Sequence, residues 1–243
     1  MRALIISDVH SNLEALQAVL QDAQRRGGFD SVWCLGDLVG YGPDPGPCID
    51  LLLQYDLQCV AGNHDHAAIG KLGVEEFNSY AADAALWTGT QLEQPHTGFL
   101  AGLPLSLRQG EFTLVHGSLR EPLWEYVVNS YAALDTFARM DTRYCLVGHS
   151  HIPFICGESG DTAAFSPFEE GQPLSLGVQR LIVNPGGVGQ PRDGDPRPSY
   201  VLGDLDAGTL TRFRVTYEIE TTQEKMRRAG LPQYLADRLS HGR

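Results

Sequence analysis

Residues 2–10, RALIISDVH, join a short apolar run to an aspartate and a histidine. A run without polar alternation is typical of a parallel strand buried on both faces, so we predict a strand over residues 2–7. A helical pattern follows from Asn12 to Arg26, where Asn12 is a suitable N-cap and Gly27-Gly28 a suitable end. The chain therefore begins as a strand–helix unit whose strand ends in polar residues.

The same alternation continues through the first sixty residues. Strands are predicted at residues 31–35 and 57–61, and a helix is predicted at about residues 45–55 between them. A βαβαβ order of this kind indicates a parallel, right-handed α/β layer.

The pattern changes after Asp65. Residues 66–95 are helical in composition, and we predict that residues 66–110 form a small helical cap within a single domain of residues 1–243. The later part of the chain is richer in strand-like runs, so we expect a second sheet packed against the first. The strands are predicted at 113–115, 144–147, 152–156, 162–166, 180–184, 199–205 and 209–217, and the helices at 132–139, 221–229 and 233–239.

Composition narrows the class of protein. The 243 residues are 42% hydrophobic and 20% charged, with a net charge of −12, so a stable complex with nucleic acid is not expected. No apolar stretch approaches the roughly 18 residues of a membrane helix, and the run after Met1 is too short for a secretory signal. The five cysteines form no CxxC pair, which favours buried free thiols. These features predict a cytoplasmic protein that binds no membrane.

Polar residues follow several of the predicted strands at the point where each strand ends. Each alone is more often a turn, core or surface residue, but several together predict a site, because open α/β sheets bind ligands at the carboxyl ends of their strands. A carboxylate can contact two cations, while imidazoles and amides complete the coordination, so the set suits two divalent metal ions. The candidate ligands are Asp8, His10, Asp37, Asn63, His116, His149 and His151.

The order and types of these residues resemble a known family. Asp8-Val9-His10, Gly36-Asp37, Gly62-Asn63-His64-Asp65, His116 and Gly148-His149-Ser150-His151 resemble the five signature blocks of the calcineurin-like metallophosphoesterase superfamily. The resemblance extends from Met1 to about Tyr200. The segment from Asn184 to Arg192 is similar to an Asn-Pro-Gly-Ser-Val segment of small bacterial phosphodiesterases, with Gly187 in place of Ser. The loop Gly40-Tyr41-Gly42-Pro43 resembles a subgroup grouped with diadenosine tetraphosphatases.

The resemblance implies an α/β fold: a four-layer αββα sandwich of two mixed sheets flanked by helices. It also implies a binuclear metal centre. One ion would be bound by Asp8, His10 and His151, the other by Asn63, His116 and His149, and Asp37 would bridge them. The ions would be two divalent transition metals, with Mn²⁺ expected first and Fe, Zn²⁺, Ni²⁺ or Co²⁺ as alternatives.

The resemblance further implies a reaction: a hydroxide that bridges the metals attacks phosphorus directly, without a covalent enzyme intermediate. His64 would stabilise charge on the phosphate or protonate the leaving oxygen, and Asp65 would orient His64. Asn12 and Arg192 are candidate substrate-binding residues, although Asn12 also suits a helix N-cap and Arg192 a solvated loop. Tyr41 and Trp124 could stack on a nucleobase or could be packing residues.

We therefore expect a metal-dependent phosphoric ester hydrolase, a phosphodiesterase in the first place, that acts on a small phosphate ester or nucleotide. The alternative from another class is a non-catalytic, metal-binding interaction module on the same fold. A nuclease or a protein phosphatase is a third hypothesis, against which the acidic charge and the short chain argue. The physiological substrate, native metal, oligomeric state and pathway are left open by the sequence.

Overall fold

The computed structural model describes residues Met1–Arg243, which form twelve strands and eight α-helices. The strands are β1 (Arg2–Ile6), β2 (Ser31–Cys34), β3 (Leu57–Cys59), β4 (Ser106–Gln109), β5 (Phe112–Val115), β6 (Tyr144–Leu146), β7 (Phe154–Ser159), β8 (Thr162–Pro167), β9 (Pro173–Ser175), β10 (Leu181–Asn184), β11 (Ser199–Asp204) and β12 (Thr209–Arg214). The helices are α1 (Leu13–Arg25), α2 (Pro45–Leu52), α3 (Asn63–Ala68), α4 (Ser79–Gln91), α5 (Gln94–Gly102), α6 (Ser130–Arg139), α7 (Ile219–Arg228) and α8 (Gln233–Asp237), and a 3₁₀ turn follows at Arg238–His241.

The strands form two six-stranded mixed sheets. The first has the order β3-β2-β1-β11-β12-β9, in which β3, β2 and β1 are parallel and β11, β12 and β9 are paired antiparallel. The second has the order β4-β5-β6-β10-β7-β8, with parallel pairing among β5, β6 and β10. The predicted fold class, two mixed sheets flanked by helices, is confirmed.

Strand β1 shows why its sequence is apolar on both faces. Ala3 and Ile5 belong to the core between the two sheets, whereas Leu4 and Ile6 pack in the core beneath helix α1. Successive side chains of a strand point to opposite faces, so a strand in the inner layer of a sandwich needs apolar residues at every position. On the outer face of the second sheet, Phe137 of helix α6 packs in a third core cluster.

Helix α1 forms where the sequence predicts it, because its N-terminus is capped. The Asn12 side chain accepts a hydrogen bond from the Ala15 amide at 3.1 Å. Leu16, Val19 and Leu20 then recur on one buried face.

The segment predicted to be helical over residues 66–95 consists of separate helices. Helix α3 ends at Ala68, and helix α4 begins only at Ser79, where Asn78 caps it. Gly70 has φ +71° in the intervening loop, a conformation that ends a helix. The helical part of residues 66–110 closes with α5 at Gly102, and β4 then joins the second sheet.

Strands β4 and β9 were not predicted, and helix α5 was anticipated only as part of the helical cap of residues 66–110. Strand β4, Ser-Leu-Arg-Gln, lies at a sheet edge with two exposed residues, so it carries no apolar run that would mark it in the sequence. Edge strands of this kind are defined by pairing with a neighbour rather than by their own composition.

The C-terminal helices pack against the middle of the chain. Met226 of α7 and Leu235 of α8 form a buried cluster with Ala84 of α4 and with Tyr41. This packing brings the end of the chain beside the loop that follows Asp37.

All five cysteines are buried and free, as the sequence predicts. None of the helices has both the length and the apolarity that crossing a bilayer requires.

Candidate metal centre

The candidate ligands converge at the carboxyl ends of strands from both sheets. Asp8 and His10 follow β1, Asp37 follows β2, Asn63 begins α3 just beyond β3, His116 follows β5, and His149 and His151 follow β6. All seven side chains are buried. Residues up to 143 positions apart in the sequence thus lie around one centre, because the sandwich places the ends of β1 and β6 next to each other.

Asp8, His10 and His151 form the first cluster. His10 Nε2 lies 3.1 Å from His151 Nε2, and His151 Nε2 lies 3.2 Å from Asp8 Oδ1. Neither carboxylate oxygen of Asp8 has a hydrogen-bond partner, although both are buried. A buried carboxylate without partners is costly, so these oxygens are suited to a cation.

The second cluster is formed by His116 and His149 with Asp37, and Asn63 adjoins it. His116 Nε2 lies 3.1 Å from His149 Nδ1 and 3.2 Å from Asn63 Oδ1. An imidazole pair with a carboxylate and an amide oxygen is a donor set that first-row divalent metals accept.

Asp37 lies between the two clusters. Its Oδ2 is 3.6 Å from His10 Nε2 in the first cluster and 3.4 Å from His116 Nε2 in the second. Its Oδ1 accepts a hydrogen bond from the His64 amide at 2.9 Å. One carboxylate therefore faces both groups of ligands while its second oxygen anchors the loop that carries His64.

The outer nitrogens of the four histidines fix their tautomers. Each lies within hydrogen-bond distance of a backbone carbonyl, which can only accept, so that nitrogen carries the proton and the inner nitrogen presents a lone pair. The pairs are His10 Nδ1 with Val39 O (3.1 Å), His116 Nδ1 with Leu35 O (2.8 Å), His149 Nε2 with Trp124 O (3.2 Å) and His151 Nδ1 with Gln190 O (2.5 Å). In each cluster the inner nitrogens of two histidines therefore direct their lone pairs at each other, an arrangement that suits a divalent cation.

Burial and charge act on these imidazoles in different ways. Burial lowers the pKa of His10 well below its usual value and lowers the pKa of His149 to about 3, so both are neutral and competent to bind a metal. For His116 burial acts in the same direction, but the adjacent Asp37 carboxylate outweighs it and raises the pKa to about 9. A cation bound in this cluster would displace the second proton of His116, because a metal ligand must be a neutral imidazole.

The backbone at the centre is unusual. Seven non-glycine residues have positive φ: the ligands Asp8, His10, Asp37, His149 and His151, together with Ser11 and Tyr41. Such left-handed conformations cost on the order of 1–3 kcal/mol each and persist only where surrounding structure imposes them. The packing of the two sheets therefore holds the ligand-bearing loops in conformations that the residues would not adopt alone.

Two glycines permit this close packing. A Cβ at Gly62 would overlap the Asp37 carboxylate, and a Cβ at Gly40, where φ is +90°, would lie 2.6 Å from His64 Nδ1. Only glycine allows the backbone to approach these side chains so closely.

His64 lines a cavity of about 80 Å³ beside the two clusters. Its ring packs against Tyr41 at 4.4 Å and against Phe77 at 4.8 Å between ring centroids. Nδ1 is buried without a hydrogen-bond partner. The remaining ring nitrogen, Nε2, is therefore the atom available to a ligand.

The hydrogen bond expected between Asp65 and His64 is absent. Asp65 Oδ2 instead accepts from the Gly62 amide at 2.9 Å, and Oδ1 accepts from the Val39 amide at 3.1 Å. Asp65 is the third residue of α3, where a carboxylate turns back to cap the helix start, so it points away from the ring of its neighbour. The Asp65 carboxylate thereby links the backbone at Val39 to the backbone at Gly62.

The two predicted substrate-binding residues occupy different positions. Arg192 lines the 80 Å³ cavity, where its guanidinium donates to Gln190 Oε1 at 2.9 Å and lies 3.5 Å from the Tyr41 hydroxyl. The Asn12 side chain is fully engaged elsewhere: besides capping α1, it donates to Gly189 O and accepts from Thr222 Oγ1. The alternative interpretation of Asn12 as an N-cap matches these contacts.

Some residues of the site were not predicted. Phe77 and Tyr126 line the cavity with the anticipated Trp124, and Tyr126 also contacts His149. Their aromatic character was the only signal in the sequence, and it does not separate a cavity wall from ordinary packing.

The similarity of this chain to known proteins bears on this arrangement. The chain is 46% identical to a metallophosphoesterase from Sphaerobacter thermophilus whose crystal structure superposes with a TM-score of 0.91, covering 100% of this chain and 99% of that one. It is 38% identical to an uncharacterized protein of Methanocaldococcus jannaschii over 98% of this chain and 97% of that protein.

A third relative matches over part of its length. The symmetrical bis(5'-nucleosyl)-tetraphosphatase of Psychromonas ingrahamii is 32% identical over 129 residues, which are 51% of this chain and 46% of that enzyme. Residues 1–208 match the model of the calcineurin-like phosphoesterase superfamily domain. With its two buried clusters of histidine and aspartate, the chain belongs to the calcineurin-like phosphoesterase superfamily and is a metal-dependent phosphoric ester hydrolase.

Proposed function

We propose that the chain hydrolyses a small phosphodiester or a nucleotide at a binuclear metal centre. The observation that carries this proposal is the pairing of inner imidazole nitrogens, His10 with His151 and His116 with His149, each at 3.1 Å. Two ring nitrogens held that close repel each other unless a cation or a proton lies between them, and the partnerless carboxylate of Asp8 adds negative charge beside the first pair.

The ligand assignment follows the two clusters. Asp8, His10 and His151 would hold one ion, and His116, His149 and Asn63 would hold the other. Asp37 would contact both, since its Oδ2 faces the two groups at similar distances. When bound, the ions supply Lewis acidity toward the phosphate and toward water, and Mn²⁺ is the metal we expect first.

His64 would act on the leaving group. Burial lowers the pKa of His64 to about 4, so the imidazole is neutral near pH 7. A neutral ring can donate a hydrogen bond from Nε2–H to the leaving oxygen and stabilise the negative charge that develops there as the phosphorus–oxygen bond breaks. The contacts of the ring with Tyr41 and Phe77 hold it in one orientation for this hydrogen bond.

Other residues would position the substrate. Arg192 would bind a phosphate oxygen, since a guanidinium on the cavity wall suits that geometry. Asp65 would act as a positioning residue through the backbone of Gly62 and Val39. We further propose that residues 66–110 cap the site within one domain of residues 1–243, because Phe77 and Asn78 contribute to the cavity wall.

The test is an assay of the purified protein with Mn²⁺ and bis-p-nitrophenyl phosphate. We expect hydrolysis by the wild type and a loss of at least about 100-fold in kcat for His64→Ala, the range found when one hydrogen-bond donor to a developing charge is removed. His241→Ala, an exposed histidine far along the chain, is the matched control and should keep full activity. Metal content measured by mass spectrometry should stay at two ions in His64→Ala and fall in Asp37→Asn.

Two results would overturn the proposal. Metal binding by the wild type without hydrolysis of any phosphate ester would indicate the non-catalytic module instead. Binding of a single ion with unchanged activity in Asp37→Asn would contradict the binuclear arrangement.

A further inference from the structure

A second, larger cavity opens beside the candidate active site. It has a volume of about 390 Å³ and shares four lining residues with the 80 Å³ cavity. The shared residues are Tyr41, Asn78, Tyr126 and Arg192. A ligand with its phosphate at the metal centre could therefore extend into this space without crossing a wall of protein.

The wall of the larger cavity carries two arginines and no carboxylate. Arg192 and Arg238 both line it, and neither is paired with an aspartate or glutamate side chain. The Nε of Arg238 donates to the main-chain oxygen of Arg243. Burial and the nearby charge of Arg192 lower the pKa of the Arg238 guanidinium. In a chain with a net charge of −12, two neighbouring guanidinium groups without an aspartate or glutamate partner favour an anionic ligand.

The same cavity presents aromatic faces to solvent. Tyr80 and Tyr234 stack with ring centroids 5.1 Å apart and planes at 27°, and each is about half exposed. Tyr126, which also lines this cavity, is 44% exposed. Exposed rings beside a cationic wall offer stacking surfaces for a planar group. In proteins that bind nucleobases, stacking on an aromatic side chain contributes about 1–3 kcal/mol per base.

Part of this wall lies outside the family domain. The superfamily match ends at residue 208, whereas Tyr234 lies in α8 and Arg238 begins the 3₁₀ turn that follows. The cluster of Met226, Leu235 and Tyr41 fixes these C-terminal helices in place. Two residues of the outer cavity wall, Tyr234 and Arg238, thus come from a segment beyond the matched domain, which contributes no ligand to the metal centre.

We propose that this cavity is a leaving-group subsite for a planar aromatic group that carries a further phosphate, the chemistry of a nucleoside phosphate. Arg192, which borders both cavities, contacts the phosphate next to the scissile one, and Arg238 binds the next anion outward. Tyr80, Tyr126 and Tyr234 enclose the ring. The inference rests on the proposed function and adds the substrate class to it.

The kinetic test compares two substrates in the Mn²⁺-loaded enzyme. For diadenosine tetraphosphate, Arg238→Ala should raise KM about tenfold or more, while kcat/KM for bis-p-nitrophenyl phosphate should change less than twofold. Arg228→Ala is the matched control, because this arginine is exposed on α7 and pairs with Glu224 away from the cavity. Equal changes for both substrates, or none, would overturn the subsite.

A binding test does not depend on turnover. ADP, adenosine and inorganic phosphate are titrated into EDTA-treated protein by calorimetry, and ADP should bind more tightly than either fragment. Tyr234→Ala should weaken ADP binding, whereas Tyr234→Phe, which keeps the ring, should retain it. Unchanged ADP affinity in both Arg238→Ala and Tyr234→Ala refutes the subsite. Absence of bis-p-nitrophenyl phosphate hydrolysis in the wild type refutes the proposed function and leaves the binding result to judge the subsite.

Discussion

The Tyr126 ring lies parallel to the His149 imidazole, with centroids 3.9 Å apart and planes at 9° to each other. The Nε2 of the same imidazole lies 3.2 Å from Trp124 O, two residues before Tyr126. One loop therefore holds the His149 ring from its face and from its outer edge. This double support aims Nδ1 at His116.

The stacking predicts an effect of Tyr126 on metal binding. Residues that support a metal ligand typically contribute about 10–100-fold to metal affinity. We therefore expect Tyr126→Ala to raise the larger of the two Mn²⁺ dissociation constants about tenfold. Tyr126→Phe keeps the stacked ring and should retain wild-type affinity. Calorimetric titration of Mn²⁺ into the metal-free proteins measures this, and equal loss in both variants would show that the hydroxyl rather than the stacking matters.

Metal removal is predicted to lower thermal stability. Mn²⁺ at 100 times its dissociation constant should stabilise the fold by about 2.7 kcal/mol, which corresponds to a rise of roughly 5–10 °C in Tm for a chain of this size. The physical reason is that the cation relieves the repulsion of lone pairs and the partnerless Asp8 carboxylate. Differential scanning calorimetry with EDTA and with Mn²⁺ measures the shift.

The variant Asp37→Asn provides the contrast for that experiment. It should lose much of the Mn²⁺-induced shift, while Asp206→Asn, which alters an exposed carboxylate near the N-terminus, should keep all of it. An identical shift in wild type and Asp37→Asn would argue against a role for Asp37 in the metal centre.

Gly40 is predicted to be required for the position of His64. Gly40→Ala introduces backbone strain of about 1–2 kcal/mol and also places a Cβ against His64 Nδ1. Activity should fall more than tenfold, whereas the metal content should stay unchanged. Gly110→Ala is the matched control, because its φ is +57° and its Cβ would meet nothing within 4 Å. If both variants lose activity equally, strain rather than the contact with His64 is the cause.

Asp22 is predicted to contribute stability that depends on pH. Its Oδ2 accepts from the Tyr200 hydroxyl at 2.6 Å and from Arg26 Nε at 2.8 Å. Burial alone would raise the pKa of Asp22, but these hydrogen bonds outweigh it and lower the pKa below its ordinary value of 3.8. A lowered pKa in the folded state means that the contribution is present above about pH 4 and is lost as the pH falls below that value.

The corresponding variant is Asp22→Asn, which should lower the free energy of unfolding by about 1–3 kcal/mol at pH 7. At pH 2.5 the difference from wild type should shrink, since the wild-type carboxyl is then becoming protonated. Urea titrations at both pH values measure this, with Asp161→Asn at an exposed turn as the control. A difference that is constant with pH would show that the carboxylate charge is not involved.

Several features of the site could be predicted from local sequence. Asp8 and His10 come directly after an apolar strand, and the carboxyl ends of parallel strands meet at one edge, so their convergence with Asp37 follows from strand order. The contact assigned to Asp65 could not be predicted in this way. Its carboxylate had two competing partners, the neighbouring imidazole and the helix-start amide, and only the geometry of α3 selects the amide.

The sequence by itself determined the fold class and the set of candidate metal ligands, because strand periodicity and the residues at strand ends are local properties of the chain. The tertiary structure decided which ligands pair, since His10 meets His151 only after the two sheets pack together. It also decided that Tyr234 and Arg238 adjoin Arg192, because the C-terminal helices dock on α4 and Tyr41 through apolar contacts that have no specific sequence signature. Contacts between residues far apart in the chain depend on the packing of whole layers, which local patterns do not specify.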